Sequence, residues 1–381
     1  MRLGIDCRFF SQNFTGIGRY THELVDHFAQ ALKPSDELIL FFNNPEYKNY
    51  QPPAKNIKKI LVNAPHYSLK EQTHFLKHLR QANCDIVHFP HFNVPLLYRR
   101  PYIVTIHDLI LTLFPGNKMT KWYHRLAYNL TIRNAIRTAR HVITVSDNTK
   151  QDIITHFGTN SKKITTIYNG ISPQFTLLTD QASIDKTLKH HKIPKPFLLY
   201  TGVHRSHKNL PRLIEAFNIL LTEHQLPLHL VITGRPDPHY PEPQELVQKL
   251  QLSAHVTFTG LVDEQALVHL YNAAHVYVFP SLYEGFGFPP LESMHCGTPV
   301  VAARTSSIPE VCGQNLDAPT ALFFDPYDPA DLAAKVRQLF QDTSLQATLI
   351  ENGARHASTF TWPKTAKLTF ELISPHAKLT T

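Results

Sequence analysis

The chain has 381 residues and a mass of 43.5 kDa, and 43% of its residues are hydrophobic while 18% are charged. This length and balance are typical of a globular protein with two domains, so they exclude general disorder. The four cysteines show no Cys-x-x-Cys spacing, which argues against a disulfide scaffold or a zinc ribbon. No apolar run approaches the roughly 20 residues that a membrane helix needs, and the N-terminus lacks the apolar region of a secretory signal. We therefore expect a soluble, cytoplasmic protein.

The formal net charge of +8 is unevenly distributed along the chain. Residues 1–172 hold 22 of the 38 Lys and Arg residues but only 11 of the 30 Asp and Glu residues. Such an asymmetry indicates either an anionic partner of the first half or a simple contribution to solubility. On a helical projection, six basic residues fall within an arc of roughly 160°, a face suited to anionic lipid headgroups: Lys118, Lys121, Arg125, Arg133, Arg137 and Arg140. No nucleic-acid-binding motif occurs, so we expect no nucleic-acid partner.

Short runs rich in Ile, Val and Leu alternate with helical patterns along the first half, as expected of parallel strands buried on both faces. The predicted strands are Arg2–Asp6, Glu37–Phe42, Asp85–Phe89, Tyr102–Ile106, His141–Val145 and Lys163–Ile167. The helical patterns include Gly18–Leu32 and Trp122–Arg140.

The same alternation starts again in the second half. Its predicted strands are Phe197–Thr201, Leu228–Thr233, Val256–Thr259, Val276–Phe279 and Pro299–Ala302. Its predicted helices are Leu210–Thr222, Pro243–Leu250, Asp263–Asn272, Pro290–Cys296, Pro329–Phe340 and Pro363–Ile373. Two successive series predict an α/β protein with two Rossmann-like, doubly wound domains at 1–172 and 173–360, followed by a helix and tail at 361–381. Ligands of such sheets lie at the carboxyl ends of the strands, so we expect the site in the cleft between the domains.

The segment 280–297, PSLYEGFGFPPLESMHCG, follows one of these predicted strands. Gly285 and Gly287 allow a tight turn and close approach of a ligand, and the two prolines after them suit the first turn of a helix. The N-terminus of a helix offers free N–H groups to a phosphate. Glu284 and Glu292 stand eight residues apart, one on the loop and one on the helix. Both can face the cleft and bind sugar hydroxyls, or they can be a solvated loop carboxylate and a charge on the helix surface.

The motif EGFGFPPLE with its two glutamates, followed by GTPVVA, resembles the signature of the retaining glycosyltransferases of the group 1 type, family four. Other segments resemble the landmarks of this family in the same order along nearly the whole chain: Phe14–Tyr20, His88–Pro90, Val104–Asp108, Val145–Ser146, Ile167–Gly170, Tyr200–Gly202, Lys208–Asn209 and Ser307–Val311. The resemblance implies the GT-B fold, with an acceptor-binding first domain, a nucleotide-sugar-binding second domain and a last helix that crosses back onto the first domain.

Transfer of a sugar from a nucleoside diphosphate requires positive charge beside the departing diphosphate. The sequence has no Asp-x-Asp motif, which agrees with the metal-independent chemistry that the resemblance implies. We therefore expect neither a metal nor another cofactor besides the nucleotide sugar. By the resemblance, Lys208 is the phosphate-contacting lysine. Val203 stands where many members of the family have an arginine, and Arg205 is the candidate to replace it. We expect His204 and His207 at the surface of the loop.

The resemblance also assigns the residues of the predicted Gly-rich segment. Glu284 would contact the donor sugar near the reacting centre, and Glu292 would hold the ribose hydroxyls. The backbone of Gly285, Phe286 and Gly287 would contact the sugar or the diphosphate.

Four more residues complete the predicted site. Val262 would line the edge of the base, although a plain turn after the strand explains its segment as well. His107, at the end of a strand in the first domain, would lie near the donor sugar and the acceptor. Gly16 and Gly18 would let the first loop approach the donor phosphate or the acceptor.

Other functions fit less well. A nicotinamide dehydrogenase would need a third glycine after Gly16 and Gly18. A nucleotide-sugar epimerase and a silent sugar-nucleotide-binding homologue stay open as alternatives. The segment YTGVHRSHKN and the C-terminal half resemble bacterial mannosyltransferase-like enzymes of surface-polysaccharide assembly. This resemblance implies a metal-independent retaining hexosyltransferase that moves mannose from GDP-mannose to a glycan or a lipid-linked acceptor, with a UDP-hexose as the second choice of donor. The basic first half predicts peripheral contact with the anionic inner face of the membrane.

Overall fold

The computed structural model describes residues 1–10, 15–114 and 122–378. The chain divides into two compact units. The first unit contains Met1–Gly170 together with the segment from Thr361 onward, and the second unit contains Ile171–Phe360.

In the first unit, strands and helices alternate along the described chain. They are β1 (Arg2–Asp6), α1 (Thr15–Ala31), β2 (Glu37–Phe42), α2 (Glu46–Asn49), β3 (Ile57–Leu61), α3 (Leu76–Ala82), β4 (Ile86–Phe89), β5 (Tyr102–Ile106), α4 (Ile110–Leu113), α5 (Trp122–Thr138), β6 (His141–Thr144), α6 (Asp147–Phe157) and β7 (Ile164–Thr166). A π-helical turn, Glu71–Phe75, leads directly into α3.

Across the described residues of this unit, the strands form a seven-stranded parallel sheet in the order β3-β2-β1-β4-β5-β6-β7. The order reverses between β1 and β4. The carboxyl ends of these two strands therefore form the switch point at which ligands of open α/β sheets bind.

The second unit repeats this architecture. Its elements are α7 (Gln181–His190), β8 (Phe197–Thr201), α8 (Leu210–Thr222), β9 (His229–Thr233), α9 (Glu242–Lys249), β10 (Val256–Gly260), α10 (Glu264–Ala273), β11 (Val276–Phe279), α11 (Phe288–His295), β12 (Val300–Ala303), α12 (Ile308–Val311), β13 (Leu322–Phe324), α13 (Pro329–Gln341) and α14 (Thr343–Ala357). The sheet of this fully described unit is parallel with the order β10-β9-β8-β11-β12-β13, so its switch point lies between β8 and β11. The predicted class, two Rossmann-like α/β units, is confirmed.

Helix α15 (Trp362–Lys378) returns to the first unit, as predicted. It packs against α1, where the rings of Phe370 and Phe28 lie 5.4 Å apart. The hydroxyl of Thr365 donates a hydrogen bond to the carbonyl oxygen of Tyr168 at 2.7 Å. An apolar stripe and a buried hydroxyl thus attach the helix to the fold.

The predicted basic helix ends two residues early, at Thr138. Arg140 lies beyond it and donates from Nη1 to the carbonyl oxygen of His376 at 2.8 Å, so Arg140 faces α15 and does not belong to the predicted basic face. Lys118 and Lys121 fall outside the described residues. The remaining three basic residues are exposed on α5: Arg125, Arg133 and Arg137. Among the helices that the structure describes, none combines the length and the apolar character needed to cross a membrane.

Candidate active site

Asn209 connects the loops at the switch point of the second sheet. This residue ends the loop after β8 in a left-handed conformation with φ of 58°, which asparagine tolerates better than most residues. Its buried side-chain amide donates to the carbonyl oxygens of Pro280, after β11, at 3.1 Å and of Pro326, after β13, at 2.8 Å. The backbone N–H of Leu282 donates to the carbonyl oxygen of His207 at 2.7 Å. These bonds bring the β8 and β11 loops together.

Lys208 and Glu284 meet as a consequence. The ammonium Nζ of Lys208 lies 2.6 Å from Oε1 of Glu284, and both side chains are largely buried, with exposed fractions of 18% and 11%. The same ammonium lies 5.9 Å from the ring centroid of Phe279, the last residue of β11. The structure thus places one cation and one carboxylate at the strand ends, where a charged ligand can exchange with either partner.

The backbone around Glu284 is held by two serines that sequence reasoning did not select as site residues. Ser306 accepts from the N–H of Glu284 at 3.0 Å and donates to its carbonyl oxygen at 2.6 Å. Ser307 donates to the carbonyl oxygens of Glu284 at 2.9 Å and of Phe286 at 3.0 Å. Ser306 has a φ of 57°, which is unusual for a residue other than glycine and indicates a constrained position.

The loop then turns into α11 at Gly287, whose φ of 103° is accessible to glycine and strained for other residues. Gly285 lies within this loop. The side chain of Phe286 is buried and packs edge-to-face against Phe288 and Phe360, with centroids 5.2 Å and 5.9 Å apart. Only the backbone of Phe286 is therefore suited to the predicted contact with a sugar or diphosphate.

Glu292, on α11, has an exposed fraction of only 3%. Its Oε2 accepts a hydrogen bond from the hydroxyl of Tyr271 at 3.1 Å. The hydroxyls of Tyr271 and Tyr277 both lie 3.0 Å from Oγ1 of Thr201, the last residue of β8. The carboxylate thus belongs to a buried polar network at the switch point, and its role toward ribose stays a prediction.

The histidines of the β8 loop differ from expectation. We expected His204 and His207 at the surface, but their exposed fractions are 1% and 5%. Burial lowers the pKa of His204, and burial together with the nearby Lys208 lowers the pKa of His207 to about 4. Both rings are therefore neutral at pH 7, because the low-dielectric surroundings disfavour imidazolium.

Arg205 lies between these histidines and is half-buried. Its Nε is buried and makes no hydrogen bond within the described structure. A buried donor without a partner costs free energy, and an anionic ligand would satisfy it. Val262 is half-buried and follows β10 after Gly260 and Leu261, at the carboxyl edge of the same sheet.

In the first unit, His107 follows β5 directly. Its Nε2 lies 2.8 Å from the carbonyl oxygen of Pro90, which can only accept, so Nε2 carries the hydrogen and Nδ1 keeps a lone pair. The ring contacts Tyr20 edge-to-face with centroids 4.9 Å apart. Burial lowers the pKa of His107 to about 4. His107 is therefore a neutral hydrogen-bond acceptor at neutral pH.

Gly16 and Gly18 lie in the first turns of α1, which begins at Thr15. The helix predicted from Gly18 therefore starts three residues earlier and includes Gly16, whereas the approach of both glycines to the donor or the acceptor stays a prediction. A glycine in a helix costs about 1 kcal/mol relative to alanine. Packing of α1 against α15 outweighs this cost, as the contact between the rings of Tyr20 and Trp362 shows. Phe14, the first residue of the same predicted segment, lies outside the described residues.

A buried ion-pair network at the first switch point was missed altogether. Arg8 donates from Nε and Nη2 to the two carboxylate oxygens of Asp6 at 2.9 and 2.8 Å, and from Nη1 to Oε2 of Glu71 at 3.0 Å. Its Nη2 also donates to the carbonyl oxygen of Asn93 at 3.2 Å, and its guanidinium lies 3.9 Å from the ring centroid of Phe75. The Asp-x-Arg spacing that starts at the last residue of β1 was the available signal.

Comparison with known proteins identifies the family of the chain. Residues 14–175 match the model described as Glycosyltransferase Family 4, and residues 183–356 match the model described as Glycosyl transferases group 1. The O-antigen chain mannosyltransferase B of Escherichia coli is 29% identical over 366 residues, which cover 91% of this chain and 93% of that protein.

Solved structures share the fold along the whole chain. Sucrose-phosphate synthase from Thermosynechococcus elongatus superposes with a TM-score of 0.78 at 20% identity and covers 100% of both chains. HepE of Anabaena, in complex with UDP-glucose, has a TM-score of 0.75 at 20% identity and covers 98% of this chain and 100% of its own. The fold is therefore GT-B, and the two matched models together place the chain in the group 1 and family 4 glycosyltransferases, to which it belongs.

Proposed function

We propose that the protein is a retaining hexosyltransferase that moves mannose from GDP-mannose to a glycan or lipid-linked acceptor during synthesis of a surface polysaccharide. The pairing of Lys208 with Glu284 at the second switch point carries this proposal. The similarity to an O-antigen mannosyltransferase over nine tenths of both chains supports the choice of sugar and pathway class.

The second unit would bind the nucleotide sugar. Lys208 and Arg205 would place positive charge on the diphosphate, which removes the need for a metal ion. Glu284, released from Lys208, would accept hydrogen bonds from the donor sugar. Glu292 would contact the ribose, and Val262 would lie along the base through its backbone.

The backbone at Gly285 and Gly287 would complete the donor site, because the N-terminus of a helix favours a phosphate and both residues lie just before α11. Retention would follow from attack on the face from which the diphosphate leaves. The acceptor oxygen forms its bond to the anomeric carbon while the bond from that carbon to the phosphate oxygen breaks. The acceptor proton passes to that phosphate oxygen, which gives the nucleoside diphosphate. The protein would contribute chiefly by electrostatic stabilisation of this separation of charge.

The first unit would bind the acceptor. His107 offers a neutral nitrogen with a lone pair at the carboxyl end of β5, and such a nitrogen accepts a hydrogen bond from a hydroxyl group.

We also propose a peripheral contact between α5 and an anionic membrane. Trp122 has an exposed fraction of 74% and Leu130 one of 52%, and Tyr123 and Leu126 are exposed between them. Aromatic and leucine side chains beside arginines are the composition of a helix that lies in the headgroup region. A lipid-linked acceptor would be reached from this position.

A UDP-hexose is the second candidate donor, because the HepE structure with a similar fold contains UDP-glucose. The decisive experiment measures release of nucleoside diphosphate from a panel of GDP- and UDP-sugars in the presence of EDTA, with Lys208→Ala as control. Release from one sugar that is lost in the variant supports a metal-independent transferase and identifies its donor. If the donor binds but no nucleoside diphosphate is released in the presence of mannose-terminated acceptors, a silent homologue is favoured. If release occurs without EDTA and is lost when EDTA is added, metal independence is overturned.

A further inference from the structure

His91 is held in one orientation by a polar network that the donor chemistry does not use. Its Nδ1 lies 2.5 Å from Oδ1 of Asn93, and Nδ2 of Asn93 lies 3.4 Å from Oε2 of Glu71. Because Arg8 donates to that carboxylate oxygen, the oxygen is an acceptor and the amide group of Asn93 must face it as the donor. Oδ1 therefore faces His91, so Nδ1 carries the hydrogen of the imidazole and Nε2 carries the lone pair.

The network behind His91 is buried and connects three loops at the first switch point. Asp6, Arg8, Glu71 and Asn93 each have exposed fractions of 3% or less. They come from the last residue of β1 and from the segments that follow β1, β3 and β4. A buried ionic network contributes little net stability but fixes the geometry of its members. Here it fixes the side chain of Asn93, which in turn orients His91.

The lone pair of His91 is available to a ligand. The side chain is half-buried, and within the described chain its Nε2 has no hydrogen-bond partner. Burial and the neighbouring His107 lower the pKa of His91 to about 3, so the ring is neutral at pH 7. A neutral nitrogen acceptor fits a hydroxyl group and does not fit a phosphate or a carboxylate.

A second feature lies beside it. Tyr67 has an exposed fraction of 65% and a φ of 58°, an uncommon conformation for an aromatic residue. Its backbone N–H donates to Oε2 of Glu71 at 3.4 Å, so the same carboxylate supports Tyr67 and His91. The rings of Tyr67 and His91 lie 6.2 Å and 4.1 Å from the ring of Phe92. The exposed ring of Tyr67 and the oriented ring of His91 thus both lie beside Phe92.

We propose that Tyr67 and His91 form a sugar subsite of the first unit, in which the Tyr67 ring packs on the apolar face of a pyranose and Nε2 of His91 accepts a hydrogen bond from one of its hydroxyls. An exposed aromatic ring combined with few, well-oriented polar groups is the usual composition of a small-molecule site. The identification of this sugar as the acceptor rests on the proposed function, whereas binding of the sugar does not.

The test measures binding of methyl α-D-mannopyranoside and methyl α-D-glucopyranoside to the full chain by saturation-transfer NMR, without any nucleotide sugar. We expect His91→Ala and Tyr67→Ala each to weaken binding about tenfold. Tyr67→Phe keeps the ring and should bind like the wild type, and His91→Gln should recover part of the loss because its amide oxygen can accept. His156→Ala, at an exposed histidine of α6, is the matched control. Glu284→Gln tests whether the sugar binds in the second unit instead.

Absence of binding to the wild-type chain, or equal binding by Tyr67→Ala and the wild type, overturns the subsite. Loss of binding in Glu284→Gln with no change in the Tyr67 and His91 variants assigns the sugar to the second unit and also overturns it. Because Tyr67 is exposed, its alanine variant keeps the test decisive even where the fold of His91→Ala is impaired. Failure of the nucleotide-sugar assay with intact sugar binding would reject the transferase and leave the subsite standing.

Discussion

The ammonium of Lys208 and the carboxylate of Glu284 neutralise each other across 2.6 Å at the carboxyl ends of two adjacent strands. Both side chains are largely buried, and each would have to find a new partner when a diphosphate sugar binds. The pair is thus a resting arrangement of groups that the proposed reaction uses separately.

We predict that Lys208→Ala and Glu284→Ala each lower turnover at least about tenfold, because each removes a charged contact of the donor. Nucleoside diphosphate release at saturating donor is the measurement, with circular dichroism to confirm the fold. Lys335→Ala, at a lysine that pairs with Asp331 on α13, is the control and should retain wild-type turnover. Wild-type turnover in either site variant would contradict the assignment.

Asn209→Gly should keep the left-handed backbone of the β8 loop and lose both hydrogen bonds of its side chain. We expect this variant to lower the free energy of unfolding by about 2 kcal/mol, since two buried carbonyl groups lose their donor. Asn209→Ala should be less stable still, because alanine adds strain at a positive φ. Urea denaturation checks both, and equal stability of the two variants would show that the backbone conformation costs nothing.

The pH dependence of stability should report the buried His88, whose exposed fraction is 0% and whose pKa burial lowers to about 3. Above about pH 6.5, the pKa of an unfolded histidine, the ring is neutral in both states and its contribution is fully present. As the pH falls from there toward the folded pKa, the unfolded chain binds a proton that the folded chain excludes, so stability is lost by about 1.4 kcal/mol per pH unit.

His88→Gln removes this titration. Between pH 7 and pH 5 the wild type should therefore lose about 2 kcal/mol more than the variant in urea unfolding. Parallel pH profiles for the two proteins would show that His88 accepts a proton within the fold.

The double variant Trp122→Ser with Leu126→Ser should bind anionic vesicles of phosphatidylglycerol about tenfold more weakly, because it removes two of the exposed apolar side chains of α5. Co-sedimentation at fixed ionic strength measures the effect. Leu316→Ser, at an exposed leucine of the second unit, should bind like the wild type. Equal vesicle binding by the wild type, the double variant and Leu316→Ser would contradict the proposed contact between α5 and the membrane.

The central strands were predictable from the sequence because both of their faces are buried, which leaves an uninterrupted apolar run such as Leu38–Phe42. The missed strands β3 and β13 are edges of their sheets. In β3, Lys58 and Lys59 interrupt the pattern, and Lys59 donates to carbonyl oxygens of the preceding segment. Charges of this kind protect an edge from pairing with another chain and also conceal it from pattern reasoning.

The motif around Glu284 could be predicted because its glycines and prolines indicate a local structure directly: a tight turn followed by the first turn of a helix. The burial of His204 and His207 could not be predicted from the sequence. It depends on the conformation of the β8 loop, which Asn209 ties by hydrogen bonds to carbonyl groups that are distant in sequence. The network of Arg8 with Glu71 depends equally on residues 63 positions apart in sequence. Contacts of this range arise from topology, which single residue types do not reveal.

The return of α15 to the first unit has a consequence for synthesis of the protein. The second unit is a continuous stretch, Ile171–Phe360, whereas the first unit lacks the helix that covers Phe28 until residues beyond Thr361 have left the ribosome. The nascent first unit therefore exposes an apolar groove while the second unit, although later in the chain, already has all of its strands. We expect chaperone binding during translation to concentrate on α1, and its release to coincide with the emergence of α15.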